Sequence, residues 1–358
     1  MSNPHWITSP EDSAWTKLCT ELSIRSPRLE ENNAWPAEQL AICGNYGVFA
    51  WFLPAARGGL GWNDTDLLRA YLRLGRACLT TSFILTQRMG ACSRIAASGN
   101  EFVCEKFLPK LISGEQFATV AISHLTTSRR HLAQPALRAT ETAAGFTLHG
   151  YSAWVTGAGH AQVIVVGATV ENGDQILMAL PTDTPGVSVA PPESLVGLTA
   201  SHTGRIDLDH VELGREWLLA GPAKNVLKLG GAGTGGLQTS ALALGLADGA
   251  IEFVEQEQLR RPDLATPAQA LRKDWRMSVD DLLALSGGVA NCSNEQLRTN
   301  ANSLALRAAQ SALAVAKGTG YVVGHPAGRW CREALFFLVW SCPQEVVAAN
   351  LCEWAGIE

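Results

Sequence analysis

No run of about 18 or more consecutive apolar residues occurs in the 358-residue chain, which excludes a hydrophobic membrane-spanning helix. Met1 to Trp15 has neither the basic start nor the apolar run of a signal peptide. A protein of the cytoplasm, without a membrane partner, is therefore expected. There is no basic stripe either: the 28 Lys and Arg residues are spread along a chain of formal net charge -5. Nucleic acid, which demands clustered cations along a phosphate backbone, is thus an unexpected partner. The nine cysteines include no CxxC pair and no Cys/His cluster at metal-ligand spacing. They read as buried thiols in a reducing compartment, with no metal site expected. Internal repeats and low-complexity tracts are also missing.

What is present is a composition of 47% hydrophobic and 17% charged residues, enough apolar matter for a packed globular protein of more than one domain. From about Ser13 to Ile112 apolar residues recur at helical spacing, as in Leu67, Leu68, Tyr71, Leu72 and Leu74. The turn formers Ala55 to Gly61 interrupt that pattern, and Asn63 or Thr65 offers a cap for the helix that follows. After Gly114-Glu115 the texture changes to short β-branched runs: Phe117 to Ser123, Leu137 to Thr142, Gly145 to Trp154, Gln162 to Thr169, Gln175 to Leu180, Val187 to Ala190 and Gly204 to Leu208. Asn172-Gly173 reads as a hairpin turn. Helical periodicity returns from about Asn225 and persists to the end. The expected organisation is a helical domain over 1–115, a β domain over 116–222 and a helical domain over 223–358.

Five segments stand out in order: Gly47 to Pro54 with Gly58-Gly59-Leu60-Gly61; Phe107 to Glu115; Gly150 to Ala158, containing Trp154-Val155-Thr156; Gly197 to Val211 with Arg261 to Pro267; and Gly318 to Tyr321 with His325 to Glu333. Together, and in this order, they resemble the acyl-CoA dehydrogenase superfamily. The resemblance implies an α+β fold with an N-terminal helical domain, a middle β-barrel or sandwich and a C-terminal four-helix bundle. It implies FAD as cofactor, with Trp154 over the isoalloxazine and Thr156 at its edge. Ser123 stands where the family has a threonine contacting the ring. Arg261, beside Arg260, is placed to reach the diphosphate of a neighbouring subunit's flavin, which implies a homodimer or homotetramer.

Family enzymes remove hydrogens from the carbons α and β to a thioester: a carboxylate takes the proton and the flavin takes the hydride. Here the position of the usual glutamate falls on Ser341, within Trp340-Ser341-Cys342-Pro343, and the alternative position used by some members falls in Gly235-Gly236. Both lack a carboxylate, and an unassisted serine cannot replace one as a base. His124, Cys342, Arg129 and Arg130 are the remaining candidates. His124 would act as a substitute acid or base, or as a satisfied structural histidine; Cys342 would act as a nucleophile only with a depressed pKa. Arg129 and Arg130 would meet a phosphate or acyl carrier, or lie solvated in a loop. Two further flavin contacts of the family fall on Ala314 and Pro343. Gly231 to Gly236 satisfies GxGxxG but lies in a helical context without the strands of a dinucleotide fold. Three functions follow as expectations: an FAD-dependent oxidoreductase acting at the CH–CH group of a CoA- or carrier-linked acyl thioester, a flavin monooxygenase or oxidase of the same superfamily, and a non-catalytic binding or scaffold member.

Overall fold

A computed structural model describes residues 6–126, 135–229 and 236–357, and among these residues six helices, eight strands and five further helices follow one another. The first group is α1 (Ala14–Asn32), α2 (Ala37–Asn45), α3 (Val48–Trp51), α4 (Asp64–Ala77), α5 (Leu79–Ala97) and α6 (Glu101–Ser113). The strands are β1 (Ala118–Ala121), β2 (Leu137–Glu141), β3 (Gly145–Thr156), β4 (Val163–Val170), β5 (Gln175–Pro181), β6 (Val187–Val189), β7 (Thr203–Gly214) and β8 (Leu218–Ala223). The last group is α7 (Leu237–Gln258), α8 (Ala265–Ser286), α9 (Asn294–Gly320), α10 (Pro326–Ala334) and α11 (Gln344–Ala355). The helical, sheet and helical order expected from periodicity is the order found.

Local chemistry sets the joints. Asn63 caps α4, its side-chain oxygen accepting from the Asp66 N–H at 3.0 Å. The loop before it requires glycine: a Cβ on Gly59 would stand 2.0 Å from the Leu53 carbonyl oxygen. Gly173, at φ 83°, closes the β4–β5 hairpin.

The sheet runs β6-β7-β3-β2-β4-β5-β8, and it forks at β4. Val163 to Val166 of β4 pair with β1, whereas Thr169 and Val170 pair with β2, both in parallel. The other pairings are antiparallel. One apolar core joins α1 to α6 with the sheet. A second joins the C-terminal helices to Leu68 and Tyr71 of α4 and Leu79 and Phe83 of α5. The two faces of α4 thus belong to different cores, and α4 meets α7 where both lack side chains: a Cβ on Gly245 would reach 2.5 Å from the Leu72 carbonyl oxygen. No described helix is long and apolar enough to cross a membrane.

Two local expectations differ from the structure. The first strand ends at Ala121, and Ser123, His124 and Leu125 form one turn of 3-10 helix instead of extending it. An eighth strand, β8, pairs with β5; its Gly221-Pro222 reads locally as a turn.

Candidate functional site

The 3-10 turn carrying Ser123 and His124 packs beside β3, the strand of Trp154 and Thr156. Positions two apart on a strand point to the same side, so the local pattern sets Trp154 and Thr156 on one face, modified by the irregular β3–β7 pairing between Ser152 and Val155. Trp154 is 49% exposed, an open apolar ring on its strand. Thr156 is buried, with Oγ1 2.9 Å from Thr203 Oγ1, which in turn lies 2.8 Å from Ser201 Oγ. A chain of three hydroxyls has three donors for two links. When Ser201 donates to Thr203 and Thr203 donates to Thr156, the Thr156 O–H is left to donate elsewhere.

Ser123 Oγ is buried and has no hydrogen-bond partner among the described residues. A buried hydroxyl without a partner costs about 1–3 kcal/mol, so this atom is suited to a polar ligand. His124 is also buried, its Nε2 lying 2.8 Å from the Gly167 carbonyl oxygen. A carbonyl only accepts, so Nε2 carries the proton and the neutral ring keeps a lone pair on Nδ1, itself buried and without a partner among the described residues. Desolvation holds the His124 pKa below the usual value, partly offset by the Gly167 bond. The residue is thus a neutral acceptor that anchors its turn to β4.

Desolvation, followed by the neighbouring His202, also lowers the pKa of His160. Its Nε2 lies 3.0 Å from His202 Nδ1, and it stacks on Trp35 at 4.2 Å. For both lowered histidines the unfolded chain binds more protons than the folded one. Stability is therefore full above about pH 6.5 and falls as pH drops through that value towards the depressed folded pKa values. Glu333 works in the opposite sense, because desolvation raises its carboxyl and that cost vanishes on protonation. We expect urea unfolding of wild-type protein and of His124→Asn, compared at pH 7.5 and 5.5, to give the shallower loss with acid in the variant. Equal pH slopes would show that His124 titrates normally in the folded state.

In the C-terminal region Ser341 has φ 45°, between a 3-10 turn at Leu335–Leu338 and α11. Arg298, buried on α9, holds this corner: Nη2 donates to the carbonyls of Phe337 at 3.2 Å and Trp340 at 3.0 Å, and Nε donates to Asn302 Oδ1 at 2.9 Å. Burial raises the Cys342 thiol above its ordinary pKa despite Arg298 and Asn302. That direction opposes the thiolate that a nucleophilic role requires. Arg261 Nη1 donates to the Val315 carbonyl of its own chain at 2.9 Å. Arg129 and Arg130 lie outside the described residues.

Sequence reasoning missed the Arg298 corner and an aromatic cluster of Phe83, Phe336 and Trp340. Trp340 stacks on Phe336 at 5.2 Å and meets Phe83 edge-on at 5.0 Å. The only available signal was the aromatic run Phe336, Phe337 and Trp340 just before Ser341.

Residues 13–115 match the family model described as "Acyl-CoA dehydrogenase, N-terminal domain". The chain is 24% identical over 337 residues to a probable acyl-CoA dehydrogenase, YngJ, of Bacillus subtilis, covering 88% of each. Among solved structures, a glutaryl-CoA dehydrogenase of Mycobacterium smegmatis in complex with FADH2 superposes with a TM-score of 0.78 at 18% identity, over 97% of this chain and 96% of that one. The prolyl acyl carrier protein oxidase AnaB superposes with a TM-score of 0.76 at 17% identity, over 97% of this chain and all, 100%, of that one.

Proposed function

Because the chain belongs to the acyl-CoA dehydrogenase superfamily, we propose that it is an FAD-dependent oxidoreductase acting at the CH–CH group of an acyl thioester linked to CoA or to a carrier protein. The observation that carries this reading is a buried Ser123 Oγ beside β3 with no hydrogen-bond partner among the described residues, together with the open Trp154 ring and the Thr156 hydroxyl, linked to Thr203, on that strand. Hydroxyl donors beside an exposed indole suit a flat heteroaromatic ligand with polar edges, and FAD fits that description.

When bound, FAD supplies the two-electron acceptor. Trp154 would cover a ring face, and Thr156 and Ser123 would donate to its polar edges. Arg261, with Nε and Nη2 not engaged in any described hydrogen bond, would meet a diphosphate, in the partner copy by the resemblance. A homodimer or homotetramer is part of the proposal. Leu259, near Arg261, and Tyr321 to Val323, after α9, leave 85%, 87%, 63% and 75% of their surfaces exposed, the apolar area that association would cover.

The α proton has no carboxylate acceptor at Ser341 or at Gly235-Gly236. That absence favours a second reading, flavin chemistry with oxygen, in which no α-proton base is required.

The test is the visible absorption of purified protein after incubation with FAD and gel filtration. Oxidised-flavin bands are expected, and Trp154→Ala and Thr156→Val should each weaken FAD binding about tenfold, the equivalent of one good hydrogen bond or ring contact. A colourless protein that takes up no FAD would sink both enzyme readings. Anaerobic bleaching by an acyl-CoA would support the first, and substrate turnover strictly dependent on oxygen the second.

A further inference from the structure

We propose that His149, Asp209 and His210 form a surface site for a divalent transition metal ion such as Zn2+, independent of the flavin chemistry. His149 lies on β3, and Asp209 and His210 lie opposite on β7, about sixty residues away in the chain by position number. The β3–β7 register pairs Leu148 with Val211 and Gly150 with Leu208. One residue of β3 therefore faces two of β7, which is a β-bulge. The extra residue gathers three metal-ligating side chains on one spot. Their ligand atoms lie within 4.8 Å of one another.

The arrangement is specific. Asp209 Oδ1 is 2.8 Å from His210 Nδ1 and 3.5 Å from His149 Nδ1, and the two imidazole rings stand 4.5 Å apart. The Asp209 N–H donates to the Gly186 carbonyl at 2.9 Å, fixing the bulge from the other side. His210 has φ 51°, a left-handed conformation that costs a non-glycine residue about 1–2 kcal/mol. Exposed hydrogen bonds between histidine and aspartate return little of that cost in water, whereas a shared cation returns more.

Two imidazoles and one carboxylate are a ligand set that zinc accepts, with bonds of about 2.0–2.2 Å. Such bonds place tetrahedral ligands roughly 3.3 Å apart, within small side-chain rotations of the observed spacing. Nitrogen donors argue against Mg2+ and Ca2+, which take oxygen. The open side of the site faces solvent, so water completes the coordination. The ion would lock the bulge between β3 and β7. Trp154 lies five residues further along β3, roughly 17 Å at about 3.3 Å per residue, so the site is separate from the proposed flavin face.

The test is equilibrium dialysis of untagged protein against Zn2+, with Co2+ as a spectroscopic stand-in. About one ion per chain is expected, and the Co2+ spectrum should lack thiolate-to-metal charge transfer, which separates this site from the cysteines. His149→Ala, His210→Ala and Asp209→Asn should each weaken binding at least about tenfold while leaving FAD uptake and the circular dichroism spectrum unchanged. His210→Gly, which relieves the backbone strain but removes a ligand, should be at least as stable as wild type and bind Zn2+ equally poorly. No binding to wild type, or undiminished binding in the His149→Ala/His210→Ala double variant, would overturn the proposal.

Discussion

Replacing Arg88 by Met is expected to lower the unfolding free energy by about 2–3 kcal/mol, although the substitution puts an apolar side chain into an apolar core. Arg88 on α5 is 1% exposed, and desolvation lowers its pKa. Its Nη2 donates to the carbonyls of Leu111, at the end of α6, and of Gln116, at 3.1 Å, just before β1. Its guanidinium lies 3.8 Å from the centre of the Phe49 ring on α3, a desolvated cation–π contact. One side chain therefore ties α3, α5 and α6 to the start of the sheet. Methionine would relieve the burial of a cation but leave both carbonyls without this donor. Charge-assisted hydrogen bonds contribute about 1.5–3 kcal/mol each, so their loss outweighs the relief. Urea unfolding should show a lower midpoint for Arg88→Met, with Arg88→Lys intermediate because it keeps a cation without the fork. Equal midpoints for Arg88→Met and wild type would mean that desolvation cancels the bonds completely.

Periodicity made the order of helices and sheet legible because those signals are local: the spacing of Leu68 and Tyr71, the cap at Asn63 and the turn at Asn172-Gly173 each act within a few residues. Features that depend on distant partners were not legible. A mid-helix arginine such as Arg88 reads as solvated until α6 and the Gln116 carbonyl fold over it. Ser123 read as the end of a strand, whereas it opens a 3-10 turn that His124 ties to the Gly167 carbonyl on β4. The His149, Asp209 and His210 cluster exists only because a bulge aligns two strands far apart in sequence. Composition and spacing alone did not assign a site role to Trp154, Thr156, Arg261 or Ser341. That assignment came from the resemblance.

Installing a carboxylate at position 341 should accelerate anaerobic reduction of bound FAD by an acyl-CoA by about 10²- to 10⁴-fold, the usual contribution of a positioned general base. The chain offers Ser341 there, and by the resemblance this is where the family's glutamate takes the α proton. The backbone at this point is held in place, since Arg298 fastens the Phe337 and Trp340 carbonyls on its near side and α11 begins on its far side. Ser341 sits at φ 45°, so glutamate costs about 1–2 kcal/mol in stability. That cost falls on folding, not on the barrier, and the kinetic gain of about 3–5 kcal/mol in barrier height exceeds it. Stopped-flow bleaching of the FAD-loaded Ser341→Glu variant and of wild type separates the possible sources of a base. A large acceleration would mean that the wild-type chain lacks only the base for dehydrogenation. Bleaching by wild type as fast as by the variant would mean that another group already takes the proton, with the unprotonated Nδ1 of His124 the first to remove by His124→Asn. Flavin that stays oxidised in both proteins under acyl-CoA, while remaining bound, would turn the proposal from thioester dehydrogenation towards the oxygen-dependent reading.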